Sequence, residues 1–215
     1  MLPMITPSPL SMAARKGFLE VVKTLIEFGA NINALSAIDS SPIFEACKKG
    51  RFKVAQLLLQ HGATPDSKFD DETPLSICAQ KGYLSVLQIL IKFNSAVDIA
   101  DSRGRTPLYK ASEQGHVLKI LLKFGAAIDI IDTKGNSALF KASSNGHIKV
   151  VRLLLKHGAK TDTKNTEKET PLSIANVTKE DLKRVQKFFF FDSWNLIEHY
   201  YLFSYALFSL QMIQI

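Results

Sequence analysis

The residues that commonly carry chemistry are few in this chain and evenly spread. Histidines stand at 61, 116, 147, 157 and 199, and the two cysteines are Cys47 and Cys78. Imidazole and thiolate can hold a metal or drive acyl transfer, but only where spacing brings ligands, or a nucleophile and its base, together. The chain has no CxxC, no Cys/His cluster, no HExxH, no GxSxG and no phosphate-cradling glycine loop. No pair of carboxylates has an evident shared site. The expectation is a chain without enzymatic activity, bound metal or cofactor, and what remains is recognition. Lys16, Lys49 and Lys81 recur at one register and would form a basic column able to meet an acidic strip on a partner. Lysine before a helix stop also favours the helix dipole and solubility, which accounts for the same residues more economically.

The elements that position these residues repeat. Ser/Thr-Pro-apolar phrases begin at Ser8, Ser41, Thr73, Thr106 and Thr170, with Ser-Ala-Leu at Ser137. Their second residues, Pro9, Pro42, Pro74, Pro107, Ala138 and Pro171, are 33, 32, 33, 31 and 33 apart. Ser or Thr caps a helix and Pro suits its first position, so each phrase starts a helix one. A small residue follows four positions after: Ala13, Ala46, Cys78, Ala111, Ala142 and Ala175. Gly17, Gly50, Gly82, Gly115 and Gly146 stop that helix. A second apolar run, VVKTLI, VAQLLL, VLQILI, VLKILL or VVRLLL, then predicts helix two. Gly29, Gly62, Gly125 and Gly158 end it, and Asn94 stands in for glycine in the third unit. The four histidines at 61, 116, 147 and 157 fall at fixed places in this pattern and read as structural.

These residues resemble the ankyrin repeat, with its period of about 33 and its TPLHxAAxxGH phrase. The resemblance covers roughly residues 8 to 187. It implies an all-α solenoid of stacked helix-turn-helix units with projecting β-turn loops. The units run roughly 6–37, 38–69, 70–102, 103–133, 134–166 and a partial 167–187. The family's histidine after TPL is replaced throughout, by Ser11, Phe44, Ser76, Tyr109, Phe140 and Ser173, so its hydrogen bond does not carry over. Asp39, Asp71 and Lys168 occupy the turn position of Gly104 and Gly135, which suggests less regular turns. In the fourth unit two residues are missing between His116 and Val117. That placement keeps VLKILL in register, whereas a loss within the helix would rotate the rest by about 200°. Helix two of that unit is expected to start late and to dock weakly.

Stacked repeats leave a long concave surface, and in this family it generally binds other proteins. The resemblance thus implies a non-catalytic, monomeric scaffold or adaptor whose partner-binding face lies at positions that vary between copies. On helix one these are Met12, Arg15, Lys16, Glu45, Lys48, Lys49, Ile77, Gln80, Lys81, Lys110, Glu113, Gln114 and Lys141. The turns add Phe69, Arg103, Arg105 and Lys134. The chain carries 27 basic and 20 acidic residues. The two signs interleave through residue 187, so nucleic acid is not the expected partner.

Residues 188–215 hold half of the chain's aromatic residues and no Lys or Arg. Such a tail could be an apolar cap, a membrane or partner contact, or a non-native end. Residues 200–215 are short for a spanning helix. The alternative function is therefore a membrane-associated adaptor anchored by this tail. Two cysteines without a framework, and no secretory pattern at the N-terminus, point to the cytoplasm, or else the nucleus.

Overall fold

The computed structural model describes residues 8–35, 40–116 and 119–174. Five helical hairpins follow one another. The helix-one elements are α1 (Pro9–Lys16), α3 (Pro42–Lys48), α5 (Pro74–Lys81), α7 (Pro107–Glu113) and α9 (Ala138–Ser144). The helix-two elements are α2 (Leu19–Glu27), α4 (Phe52–Gln60), α6 (Leu84–Lys92), α8 (Lys119–Lys123) and α10 (Ile148–Lys156). Among the described residues there are only isolated bridges, Phe69 with Glu72 and Ile131 with Ser137, and no strand. The sixth unit beyond Ile174 and the 188–215 tail lie outside the described residues.

Each helix one starts as its phrase dictates. The hydroxyls of Ser8, Ser41, Thr73, Thr106 and Ser137 accept the backbone N–H three residues on, at 3.1 to 3.3 Å. The residues that replace the family histidine do not all bond alike. Ser76 Oγ accepts the Thr73 N–H at 3.1 Å and so closes a capping box, Ser173 accepts from Thr170 in the same way at 2.8 Å, and Tyr109 donates to Asp132 at 2.6 Å. Helix two has no side-chain cap in α2, α4, α6 or α10. There the residue before the helix serves the stack: the His116 ring lies 2.7 Å from where a Cβ on Gly82 would be. Gly82 is left-handed at φ 70°, so both its backbone angle and its neighbour disfavour a side chain.

Ala13, Ala46, Cys78, Ala111 and Ala142 are buried, which lets successive helix-one elements approach closely. They pack on one another more extensively than α2 packs on α4 or α4 on α6. The tighter helix-one layer becomes the inner, concave side and the helix-two layer the outer one. One apolar core runs through the stack, with Leu58, Leu90, Leu121 and Leu154 at one register.

The two residues missing from the fourth unit leave Leu121 at its buried register. The described part of helix two in this unit covers 5 residues, against 9 in each of the other four hairpins. Leu121 keeps its register and is 1% exposed, while Leu118 lies outside the described residues. The described part of α8 makes no extensive contact with α6 or α10, whereas α4 packs on both α2 and α6.

The turns correct one expectation. Lys168 takes the left-handed conformation at φ 64°, matching Gly104 and Gly135 at 77°. The bond from Lys168 N to Asn165 O repeats those from Gly104 to Asp101 and from Gly135 to Asp132. Lysine adopts that geometry at a cost of about 1–2 kcal/mol, and the turn stays regular. Among the described turns only that at Asp71 differs. Asp70 and Asp71 both have positive φ, 48° and 62°, and Phe69 and Glu72 exchange both backbone bonds at 2.9 Å. That is a two-residue hairpin of the type-I′ kind. Asp39 lies outside the described residues.

Candidate partner-binding face

The concave side is built from helix-one side chains and turn tips, and the register of each decides its access. The position three residues after each helix start holds Met12, Glu45, Ile77, Lys110 and Lys141. Met12, in the first unit, is 46% exposed. Glu45 and Ile77 are 5% exposed and Lys110 is 1% exposed, so these three are corrected from partner contacts to interior residues. The cause is the stack itself: in an interior unit this position faces its neighbours. Glu45 lies 3.7 Å from Arg15 of the preceding unit, and its Oε2 has no hydrogen-bond partner. Ile77 joins the apolar core. Lys110 Nζ is held by Glu72 at 2.8 Å and Asp101 at 3.2 Å. Lys141 is half-buried, 3.7 Å from Glu113 of the preceding unit.

The registers at the end of helix one stay accessible. Arg15, Lys16, Lys49, Lys81 and Gln114 are exposed, and Lys48, Gln80 and Glu113 are half-buried. Lys48 spans the Phe44 and Phe69 rings, its ammonium 6.0 and 5.6 Å from their centroids. Those rings pack at 5.2 Å, tilted by 57°. At the turns Arg103 and Lys134 are exposed and Phe69 is half-buried. Arg105 is held by Asp101 at 2.8 Å.

A polar network fixes these turns. Burial raises the Asp101 carboxyl, but the backbone N–H and guanidinium of Arg105, then Lys110, outweigh it and hold the group below the ordinary carboxylate range. Asp132 is also held low. Burial raises it, and the Tyr109 hydroxyl with the Asn136 and Lys134 N–H groups overcomes that. The Tyr109 phenol is pushed up, first by burial and then by its bond to Asp132, so it remains a donor. The turn tips also stack: Thr133 N donates to Arg103 O and Thr166 N to Lys134 O, both at 2.9 Å.

The repeat pattern alone did not single out a ladder that ties the units together. Asn33 accepts from Thr64 N at 2.9 Å, Asp66 from Ala96 N at 3.1 Å, Asp98 from Ala127 N at 3.0 Å and Asp129 from Lys160 N at 3.0 Å. Its signal was in the sequence as an Asx residue at steps of 33, 32 and 31.

The groups with chemical potential are used structurally. The Cys47 thiol is pushed up by burial and then by neighbouring Cys78, and the Cys78 Sγ donates to Cys47 O at 3.7 Å. Both thiols are free. His61 and His157 donate through Nδ1 to Leu57 O and Leu153 O, each at 2.9 Å. His147 Nε2 reaches Glu113 O of the preceding unit at 3.0 Å. Among the described residues, no three His, Cys, Asp or Glu side chains converge as a metal site.

A sequence model described as ankyrin repeats (3 copies) matches residues 5–69, 65–132 and 116–183. The chain belongs to the ankyrin-repeat family. Ankyrin repeats are in general protein-binding modules rather than enzymes. A solved ankyrin repeat domain from Acinetobacter baumannii superposes with a TM-score of 0.77 at 25% identity, over 82% of this chain and 95% of that one. Cyclin-dependent kinase inhibitor 2A of Monodelphis domestica is 37% identical over 111 residues, which is 50% of this ankyrin chain and 63% of the relative. Cyclin-dependent kinase 4 inhibitor B of Rattus norvegicus is 39% identical over 110 residues, 50% of this chain and 83% of the relative.

Proposed function

We propose that this ankyrin array is a non-catalytic scaffold or adaptor that holds a protein partner on its concave side. The observation that supports this is the contrast between a frame fixed by the Asx ladder and the helix-one stack and an accessible edge that changes from unit to unit. Met12, Gln80, Gln114 and Arg103 stand on that edge with differing chemistry, beside the recurring Lys16, Lys49 and Lys81. A stable complex would bury on the order of 1,200–2,000 Å². The relatives named as inhibitors of cyclin-dependent kinases make a protein kinase the first partner class to assay. Two buried free thiols suit a reducing compartment, the cytoplasm or the nucleus.

Photo-crosslinking tests the assignment. A crosslinker placed singly at Met12, Gln80 or Arg103 should capture a protein partner, and one at Lys23 or Gln56 in the helix-two layer should not. Equal capture from both sets, or capture from the helix-two set alone, would remove the concave face from this role. The aromatic tail at 188–215 supports a second reading, a membrane-anchored adaptor; among the described residues no helix is long and apolar enough to cross a membrane.

A further inference from the structure

Acids and bases interleave along the sequence, but folding sorts them. The exposed registers of the outer helix-two layer carry Lys92 on α6, Lys119 and Lys123 on α8, and Lys149, Arg152 and Lys156 on α10. All six are exposed, and among the described residues none lies within ion-pair distance of a carboxylate. Residues 84–97, 119–128 and 145–161 contain no Asp or Glu at all. Of the acids that follow these stretches, Asp98 and Asp129 are occupied by backbone N–H groups of the next unit, and Asp162 is exposed. The corresponding registers hold Glu20, Lys23 and Glu27 in unit one and Lys53, Gln56 and Gln60 in unit two. Unit one thus mixes the signs, unit two carries one cation as unit three does, and the positive charge gathers toward units four and five.

Its shape and composition select the partner. Helices in a layer sit roughly 8–10 Å apart, and cations four residues apart on one helix are about 6 Å apart. The charges therefore form a two-dimensional grid on the outer side of the curve. A nucleic-acid duplex, itself convex, meets such a surface along little more than a line. A bilayer is broad, and its headgroups move to meet each cation. Five of the six cations are lysines, point charges suited to diffuse attraction and not to bidentate readout. Phe124, directly after Lys123, is 51% exposed, and Ile148, beside Lys149, is 39% exposed; both offer apolar groups to the interfacial zone. We propose that the outer face of units three to five docks on anionic lipid headgroups, leaving the concave side free for protein.

Cosedimentation with vesicles tests this with the full chain. The protein should bind phosphatidylserine-containing vesicles and not pure phosphatidylcholine, and should dissociate as salt rises and the screening length contracts. Combining Lys119→Gln, Lys123→Gln, Arg152→Gln and Lys156→Gln should weaken the partition at least about a hundredfold, at about fivefold per cation. Combining Lys16→Gln, Lys49→Gln and Lys81→Gln on the other side should weaken it by less than about tenfold. The proposal is overturned if the four-site variant, folded by circular dichroism, binds as the natural chain does. It is equally overturned if phosphatidylcholine vesicles bind as well as anionic ones, or if a DNA duplex displaces the protein from vesicles and binds more tightly. Crosslinking from Met12, Gln80 and Arg103 is a separate readout, so either result can fail alone.

Discussion

The Lys110 ammonium lies 2.8 Å from Glu72 Oε1 and 3.2 Å from Asp101 Oδ2, joining the turns on either side of unit three from inside helix one of unit four. A lysine at 1% exposure survives only with such partners. Lys110→Met removes the cation and leaves two carboxylates facing each other with Arg105 as the remaining counter-charge. The expected loss is about 3 kcal/mol in urea unfolding. Adding Glu72→Gln should return part of it, because the stranded charge is then gone. A single-variant loss below about 1 kcal/mol would mean that the pair is no better than its apolar replacement.

Acid should loosen the same turns. Asp101 and Asp132 have folded-state values below the unfolded value near 4. Their contribution is complete above about pH 4 and is lost as pH falls through the lower folded values. The urea midpoint should therefore hold from neutral pH down to about pH 4 and then drop. Asp132→Asn should flatten that drop, and an unchanged acid limb in this variant would place the effect elsewhere.

The periodic parts of the array were legible because each rests on local physics. Ser41 caps and Pro42 starts a helix wherever they occur, and Asn94 ends α6 in the left-handed region at φ 61° as glycine would. Burial along the concave side was not legible, because it depends on the neighbouring unit. Lys110 and Lys141 hold the same register, yet one is enclosed by Glu72 and Asp101 while the other is half open. Charge segregation was hidden for the same reason: helical period places Lys119 and Arg152 side by side only after the hairpins stack. The regular turn at Lys168 shows the converse, a backbone bond to Asn165 overriding a side chain's preference.

Gly82 should tolerate alanine worse than Gly62 does. Both are left-handed, at φ 70° and 91°, and each substitution costs about 1 kcal/mol for the backbone alone. A Cβ at Gly62 meets nothing within 4 Å, whereas at Gly82 it meets the His116 ring at 2.7 Å. Gly82→Ala should lose about 2–3 kcal/mol, and combining it with His116→Ala should recover the steric part. Equal losses at the two glycines would show that the ring moves aside freely.

Helix two of the fourth unit makes the clearest test of register. Inserting Ile-Lys between His116 and Val117 restores the spacing of the fifth unit, where Ile148 and Lys149 begin α10. Ile148 is 39% exposed, so its counterpart would bury about half of an isoleucine and stabilise by about 1 kcal/mol. The same two residues placed after Ile120 would turn Leu121 through about 200°. Leu121 is 1% exposed, and removing it from the core should cost about 2–5 kcal/mol. Hydrogen exchange over residues 119–128 reads both: slower after the first insertion, faster after the second. Similar exchange in the two variants would mean that α8 is not held by Leu121, and the register argument for the fourth unit would fail.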